Sequence, residues 1–169
     1  MRSTKPQDIV VLLALAVQGD ASFREISGLT GVSLSEVSKS LSRAEAASLY
    51  SSSHSAPIWS ALLDFIVYGI RHAFPAPRGP IVRGVPTSVA APPLDAFFHI
   101  AQPEQTPVWP SPTGTVRGYA VPPLYKTLPE AAPRTPAFYE LLALTDALRE
   151  GRARERNLAE RILRERLTP

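Results

Sequence analysis

Residues 28–49 read GLTGVSLSEVSKSLSRAEAASL. Ser33 and Glu36 stand at capping-box spacing, where each side chain satisfies a free backbone N–H of the other, so a helix is expected to open at Ser33. A tight turn at Thr30-Gly31-Val32 precedes it. With 3.6 residues per turn, Leu34, Val37, Leu41 and Ala44 are expected to face inward, and Ser35, Glu36, Ser38, Lys39, Ser42 and Arg43 outward. Upstream, Ser22-Phe23-Arg24-Glu25 repeats the capping box eleven residues earlier. The repeat defines a second helix of only about eight residues, a glycine-containing turn and a longer third helix, which is helix-turn-helix spacing.

Working outward, a first helix is expected from Pro6 to about Gln18, stopped by Gly19-Asp20. Ile9, Leu12, Leu13 and Ala16 form its stripe, and Val10 and Val11 suggest burial on more than one side. On the other flank, Tyr50 and residues 56–58 are expected to pair as a minimal β-hairpin around SSSHSAP, with Pro57 confined to an edge or strand end. IWSALLDFIVYGIRHAF (58–74) reads as one strongly apolar helix ended by Pro75. Residues 75–136 hold most of the 18 prolines. There PIVRGV (80–85) and TVRGYAV (115–121) are the best strand candidates, and Val108-Trp109 is expected to pair with 115–121 across a Ser-Pro-Thr-Gly turn. Phe97, Phe98, Trp109, Tyr119 and Tyr125 argue for an ordered, loop-rich layer over disorder. Two further helices meet at Gly151. Phe138, Leu141, Leu142, Thr145 and Leu148 stripe the first; Leu158, Ile162, Leu163 and Leu167 stripe the second. The fold class is therefore mainly α, divided as 1–58, 59–136 and 137–169.

The absence of cysteine removes disulfides and thiolate metal sites and points to a reducing cytoplasm. No signal peptide is read at the N-terminus, and no run approaches the roughly 20 apolar residues of a membrane span. The net charge of +3 permits nucleic-acid binding without demanding it. Residues 1–58 carry five Lys/Arg (Arg2, Lys5, Arg24, Lys39, Arg43) against five acids. Any contact with DNA there must come from local placement of cations.

The stretch FREISGLTGVSLSEVSKSLSRAEAASL resembles the winged helix-turn-helix transcription regulators of bacteria, in the MarR-like style, over roughly residues 6–60. Residues 61–169 are similar to the C-terminal part of a poorly characterised bacterial group with the same head and a Pro-rich tail. The resemblance implies that residues 33–47 lie in a major groove of double-stranded DNA. Ser33, Ser35, Ser38, Lys39, Ser42 and Arg43 are the candidate DNA-binding residues. Two departures stand out. Ala47-Ser48 replaces the glycine that many such proteins have before the wing, and the wing tip SSSHSA has no Arg or Lys.

The expected function is a cytoplasmic transcriptional regulator, most simply a repressor of its own operon. With few cations per head, it is expected to act as a homodimer built from the apolar surplus of 58–74 and 137–167. The competing reading is a protein-interaction module, an antitoxin-like partner of a neighbouring toxin with the winged helix as scaffold. Catalysis is not expected: His54, His72 and His99 have no metal-binding spacing, and no nucleophile elbow occurs. No cofactor is expected. RARER (152–156) reads as a salt-bridged exposed face ahead of a phosphate contact, and the middle aromatics read as core ahead of an effector pocket.

Overall fold

The computed structural model describes residues 3–168; Arg2, one of the cations counted above, lies outside them. The chain is mainly helical with small sheets. Helix α1 (Pro6–Gln18) is buried continuously from Asp8 to Leu15. It forms the central rod against which α2 (Phe23–Thr30), α3 (Leu34–Ala46) and α7 (Pro136–Glu150) pack. The capping box that opens α2 is reciprocal: the Glu25 N–H donates to Ser22 Oγ at 3.1 Å and the Ser22 N–H to Glu25 Oε1 at 3.3 Å. At Ser33 only half of the expected box forms. The Glu36 N–H donates to Ser33 Oγ at 3.3 Å, while the Glu36 carboxylate instead accepts from Gln7 Nε2 at 2.8 Å.

The chain leaves α3 through Ser48, at φ 59°, and enters the expected hairpin. Strands β1 (Tyr50–Ser51) and β2 (Ala56–Pro57) pair antiparallel, Tyr50 opposite Pro57. The helix expected over 58–74 is present but not uniform. Between α4 (Trp59–Asp64) and α5 (Ile70–Ala73) the turn Phe65–Gly69 is π-helical.

The Pro-rich region folds into β3 (Ile81–Pro86), β4 (Pro107–Pro110) and β5 (Val116–Ala120), which close on themselves. The expected hairpin between residues 108–109 and 115–121 is not what forms. Strand β4 runs parallel to β5, and β3 runs antiparallel to both. Two of the four β4 residues, Pro107 and Pro110, have no N–H to give to a hairpin ladder. The two ends of β4 bond to the β3 side instead: the Thr87 N–H donates to Pro107 O at 3.0 Å and the Ser111 N–H to Arg83 O at 3.0 Å. The two Arg-Gly pairs acquire a reason here. A Cβ on Gly84 would stand 2.1 Å from Trp109 O, and one on Gly118 1.9 Å from Thr106 O, so only glycine lets these backbones approach.

Short α6 (Leu128–Ala131) leads to α7, and α8 (Ala153–Leu167) folds back on it. Residues 141–149 are all buried, so α7 is enclosed on every side and not along a stripe alone. The last turns of α7 fasten the strand layer to the helices. Asp146 is 1% exposed. It accepts from Thr87 Oγ1 at 2.6 Å, Trp109 Nε1 at 2.7 Å and Arg149 Nη1 at 2.9 Å. Arg149 also donates to Phe74 O and Pro122 O, each at 2.9 Å. Glu150 accepts from Ser88 Oγ at 2.6 Å and Tyr119 OH at 2.8 Å. Among the described residues, no buried side-chain nitrogen or oxygen lacks a partner.

Burial is the main influence on Glu150 and raises its pKa, opposed by hydrogen bonds from Ser88 and Tyr119 and by Arg78. The folded chain therefore holds this proton at pH values where the unfolded chain, with a carboxyl pKa of about 4.3, has released it. In that window the native state binds more protons, so stability falls as pH rises through it. Glu150→Gln removes this dependence. Urea midpoints at pH 5 and 8 should show the wild type losing ground to the variant at the higher pH. Parallel curves would acquit Glu150.

The apolar surplus expected to build a dimer is largely consumed within the chain. Leu62, Leu63, Ile66, Val67 and Ile70 are buried together with Phe138, Leu141, Leu142 and Leu148 in one cluster that begins in α1. Of the Arg–Glu pairs expected along α8, Arg164–Glu160 forms at 3.3 Å, whereas Arg166 reaches across to Glu140 on α7 at 2.9 Å. Among the described residues, no helix is long and apolar enough to cross a membrane.

Candidate nucleic-acid interface

The turn between α2 and α3 sets where the exposed face of α3 begins. Gly31 ends α2 in the left-handed region at φ 75°, which costs glycine little and a side-chain-bearing residue more. Thr30 Oγ1 donates to Ile26 O at 2.7 Å and accepts from the Val32 N–H at 3.1 Å. From far along the chain, Thr127 Oγ1 donates to Thr30 O at 2.6 Å, and its Cβ lies 2.8 Å from where a Cβ on Gly31 would sit. The turn is thus held by residues on both of its sides.

Beyond it, α3 divides cleanly. Leu34, Ser35, Ser38, Lys39, Ser42, Glu45 and Ala46 are exposed and span an arc of about 140° at 100° per residue. Val37, Ser40, Leu41, Arg43 and Ala44 are buried on the other side. Of the six candidate residues, the structure brings Ser33, Ser35, Ser38, Lys39 and Ser42 to one exposed surface. Lys39 is paired loosely with Glu36 at 3.5 Å and is 62% exposed at its side chain.

Two of the orientation assignments need correction. Leu34, expected inward, is 47% exposed; it is the first residue of α3, and burial on this helix starts only at Val37. Arg43, expected outward, is 6% exposed. Its Nη2 donates to Asp8 Oδ1 at 2.8 Å and to Ser40 Oγ at 3.2 Å, and its Nε to both Asp8 oxygens, at 3.1 and 3.0 Å. The hydrogen bonds to Asp8, with the charges of Asp8 and Glu36, hold the Arg43 pKa above its ordinary value despite burial. The cause lies in α1: Asp8 is fully buried, and a carboxylate out of water requires a cation and hydrogen bonds. The available signal was an acid flush against the apolar run Ile9–Leu15, but nothing local connects it to a residue 35 positions away. Arg43 is therefore a strut between α1 and α3.

The hairpin stands beside this face. Ser48 adopts the positive φ that a glycine would ordinarily supply before it. Glu45 accepts from the Ser52 N–H at 3.1 Å and from the Ser52 hydroxyl, which ties the hairpin to the end of α3. Those two bonds, the hydroxyl's first, hold the Glu45 carboxyl below its usual range. The tip Ser52–Ser55 is exposed, and His54 Nδ1 lies 3.0 Å from Ser51 Oγ. Among described residues up to 58, the exposed cations are Lys5, Arg24 and Lys39.

Comparison with protein families, characterised proteins and solved structures finds no match. The chemistry of this surface must therefore be argued from its own residues. Short hydroxyls, one lysine and one exposed leucine suit an edge-reading contact: hydroxyls bond either donors or acceptors, and an aliphatic group meets a thymine methyl. The same surface is poor in phosphate grip.

Proposed function

We propose that the protein is a sequence-specific DNA-binding transcriptional regulator with an N-terminal winged helix-turn-helix. In this reading α3 lies in the major groove, and the protein represses its own operon in the cytoplasm. The observation that carries the reading is the exposed arc of α3, with Leu34, Ser35, Ser38, Lys39 and Ser42 together, beginning at a turn braced from both sides and flanked by a hairpin. Ser33 caps the helix beside them, and in this reading its exposed hydroxyl bonds a phosphate or a base edge. Three exposed cations per head would neutralise about two or three phosphates, which gives weak binding and a shallow salt slope. The reading therefore requires two heads on one operator, with half-sites about one helical turn apart.

The test is fluorescence anisotropy of a labelled duplex from the protein's own upstream region against a scrambled duplex, at low and physiological salt. The native duplex should bind more tightly, and Ser38→Ala/Lys39→Ala should weaken it by about tenfold or more. Arg43→Ala is not a suitable probe of contact, because it leaves Asp8 buried without its cation. Equal, salt-sensitive binding to both duplexes, unchanged in the variant, would defeat the reading for that site.

A second reading, a protein-interaction module, is favoured by one specific observation. The cation nearest the end of α3 is withdrawn into the core, while Phe23 and Leu34 are exposed at 46% and 47%. In that case the partner would dock on an apolar-and-hydroxyl surface, and the same substitutions would leave DNA binding untouched.

A further inference from the structure

A concave site lies between the strand layer and the start of α8. Its inner cavity, about 250 Å³, is lined by Arg78, Phe98, His99, Tyr119, Arg152 and Arg154, among others. Three guanidinium groups therefore border one hollow, one from the loop before β3 and two from the start of α8. Arg78 stacks on the Tyr119 ring at 4.2 Å and stands 4.0 Å from Glu150. Arg154 lies over the Phe98 ring at 5.8 Å. Neither Arg152 nor Arg154 has a carboxylate within ion-pair distance among the described residues. Against the three guanidinium groups stand two acids: Glu155, which also lines the hollow and accepts from the Arg152 N–H at 3.2 Å, and Glu150, which accepts from Ser88 and Tyr119. Burial also biases Glu150 towards its neutral form. The hollow is thus a concentration of positive charge with aromatic walls.

Size decides what fits. The inner cavity alone is smaller than the roughly 300–1,000 Å³ of ordinary ligand pockets. It adjoins a wider cleft of about 750 Å³ that shares Phe98 and Arg154 and adds Phe97, Asn157, Leu158 and Arg161. A ligand that uses both needs an anionic head for the inner part and a flat, apolar body for the outer. Guanidinium forks match the oxygens of a phosphate two at a time, and three of them suit a doubly charged head better than a single carboxylate.

We propose that this site binds a small phosphate monoester carrying a planar ring, its phosphate among Arg78, Arg152 and Arg154 and its ring in the adjoining cleft against Phe97 and Phe98. The site is remote in sequence from the exposed face of α3 and does not depend on the DNA-binding reading. The cation–π contacts of Arg78 and Arg154 orient their planes before a ligand arrives, which lowers the ordering cost of binding. RARER, expected to be a salt-bridged face, in this way supplies two of the three phosphate ligands.

Isothermal titration calorimetry of the full chain tests this with AMP, adenosine, ribose 5-phosphate and inorganic phosphate as probes. AMP should bind at least about tenfold more tightly than inorganic phosphate or ribose 5-phosphate, and adenosine should give no heat. Arg152→Ala/Arg154→Ala should lower AMP affinity by at least about tenfold with an unchanged circular dichroism spectrum. Arg154→Lys, which keeps the charge but loses the fork, guards against a folding artefact and should fall between. No heat from any phosphate at about 5 mM overturns the proposal, as does AMP affinity unchanged in the double variant. Adenosine binding as tightly as AMP overturns it too. A DNA duplex that loses affinity in the double variant, while AMP gives no heat, overturns it in favour of a nucleic-acid contact.

Discussion

Asp8→Ala is expected to destabilise the protein by about 3–5 kcal/mol, the range for breaking a buried ion pair by removing one partner. Asp8 is 0% and Arg43 6% exposed, so solvent cannot take over when the carboxylate is lost. The guanidinium would keep only Ser40 Oγ, at 3.2 Å, as a side-chain acceptor, and the Lys5 N–H would lose the Asp8 oxygen it now reaches at 2.8 Å. Against a total stability of about 5–15 kcal/mol, such a loss is a large fraction, and for a chain of this size it lowers Tm by roughly 10 °C. Urea denaturation followed by circular dichroism is the measurement. Asp8→Leu/Arg43→Met makes the argument specific: with both charges replaced by apolar groups of similar bulk, most of the loss should be recovered. A loss below about 1 kcal/mol in Asp8→Ala would mean that the pair is solvated.

Asp146→Ala is expected to cost a similar amount, about 3–5 kcal/mol, through a different part of the fold. It leaves Trp109 Nε1 and Thr87 Oγ1 without an acceptor and Arg149 without its carboxylate, in a site that is 1% exposed at Asp146. All three groups lie at the junction of the strand layer with α7, so the layer should loosen while α1–α3 stay packed. The chain has two tryptophans, and Trp59→Phe leaves Trp109 as the sole reporter. In that background Asp146→Ala should shift the Trp109 emission to the red, since the indole is now 0% exposed. Asp146→Asn keeps the shape but not the charge opposite Arg149 and should lie between. An unshifted emission maximum with unchanged stability would show that Asp146 does not hold the layer.

Much of the helical architecture was legible because it is local. Pro6, Gly19, Ser22 with Glu25, Gly31 and Ser33 each act within one turn of helix, and α1 and α2 begin and end, and α3 begins, where those residues require. The pairing of Tyr50 with Pro57 also follows from a short hydroxyl-rich tip between two extended ends. Five of the six candidate residues on and beside α3 reach the surface together because helical period alone separates them from Val37, Leu41 and Ala44. The sixth does not. Arg43 lies at the edge of the buried arc, where period leaves its direction open and a carboxylate on another helix decides it.

The sequence by itself determined where α1 starts, where α2 starts and stops and which face of α3 is hydroxyl-rich, because these depend on neighbours within a few residues. Tertiary structure alone decided the rest. It turned Arg43 inward to Asp8, set β4 parallel to β5, enclosed α7 on all sides and gathered Arg78, Arg152 and Arg154 around one cavity. Those outcomes depend on which desolvated charges and unpaired backbone groups meet across long stretches of chain. Such meetings are set by burial and packing in space, which no spacing along the sequence encodes.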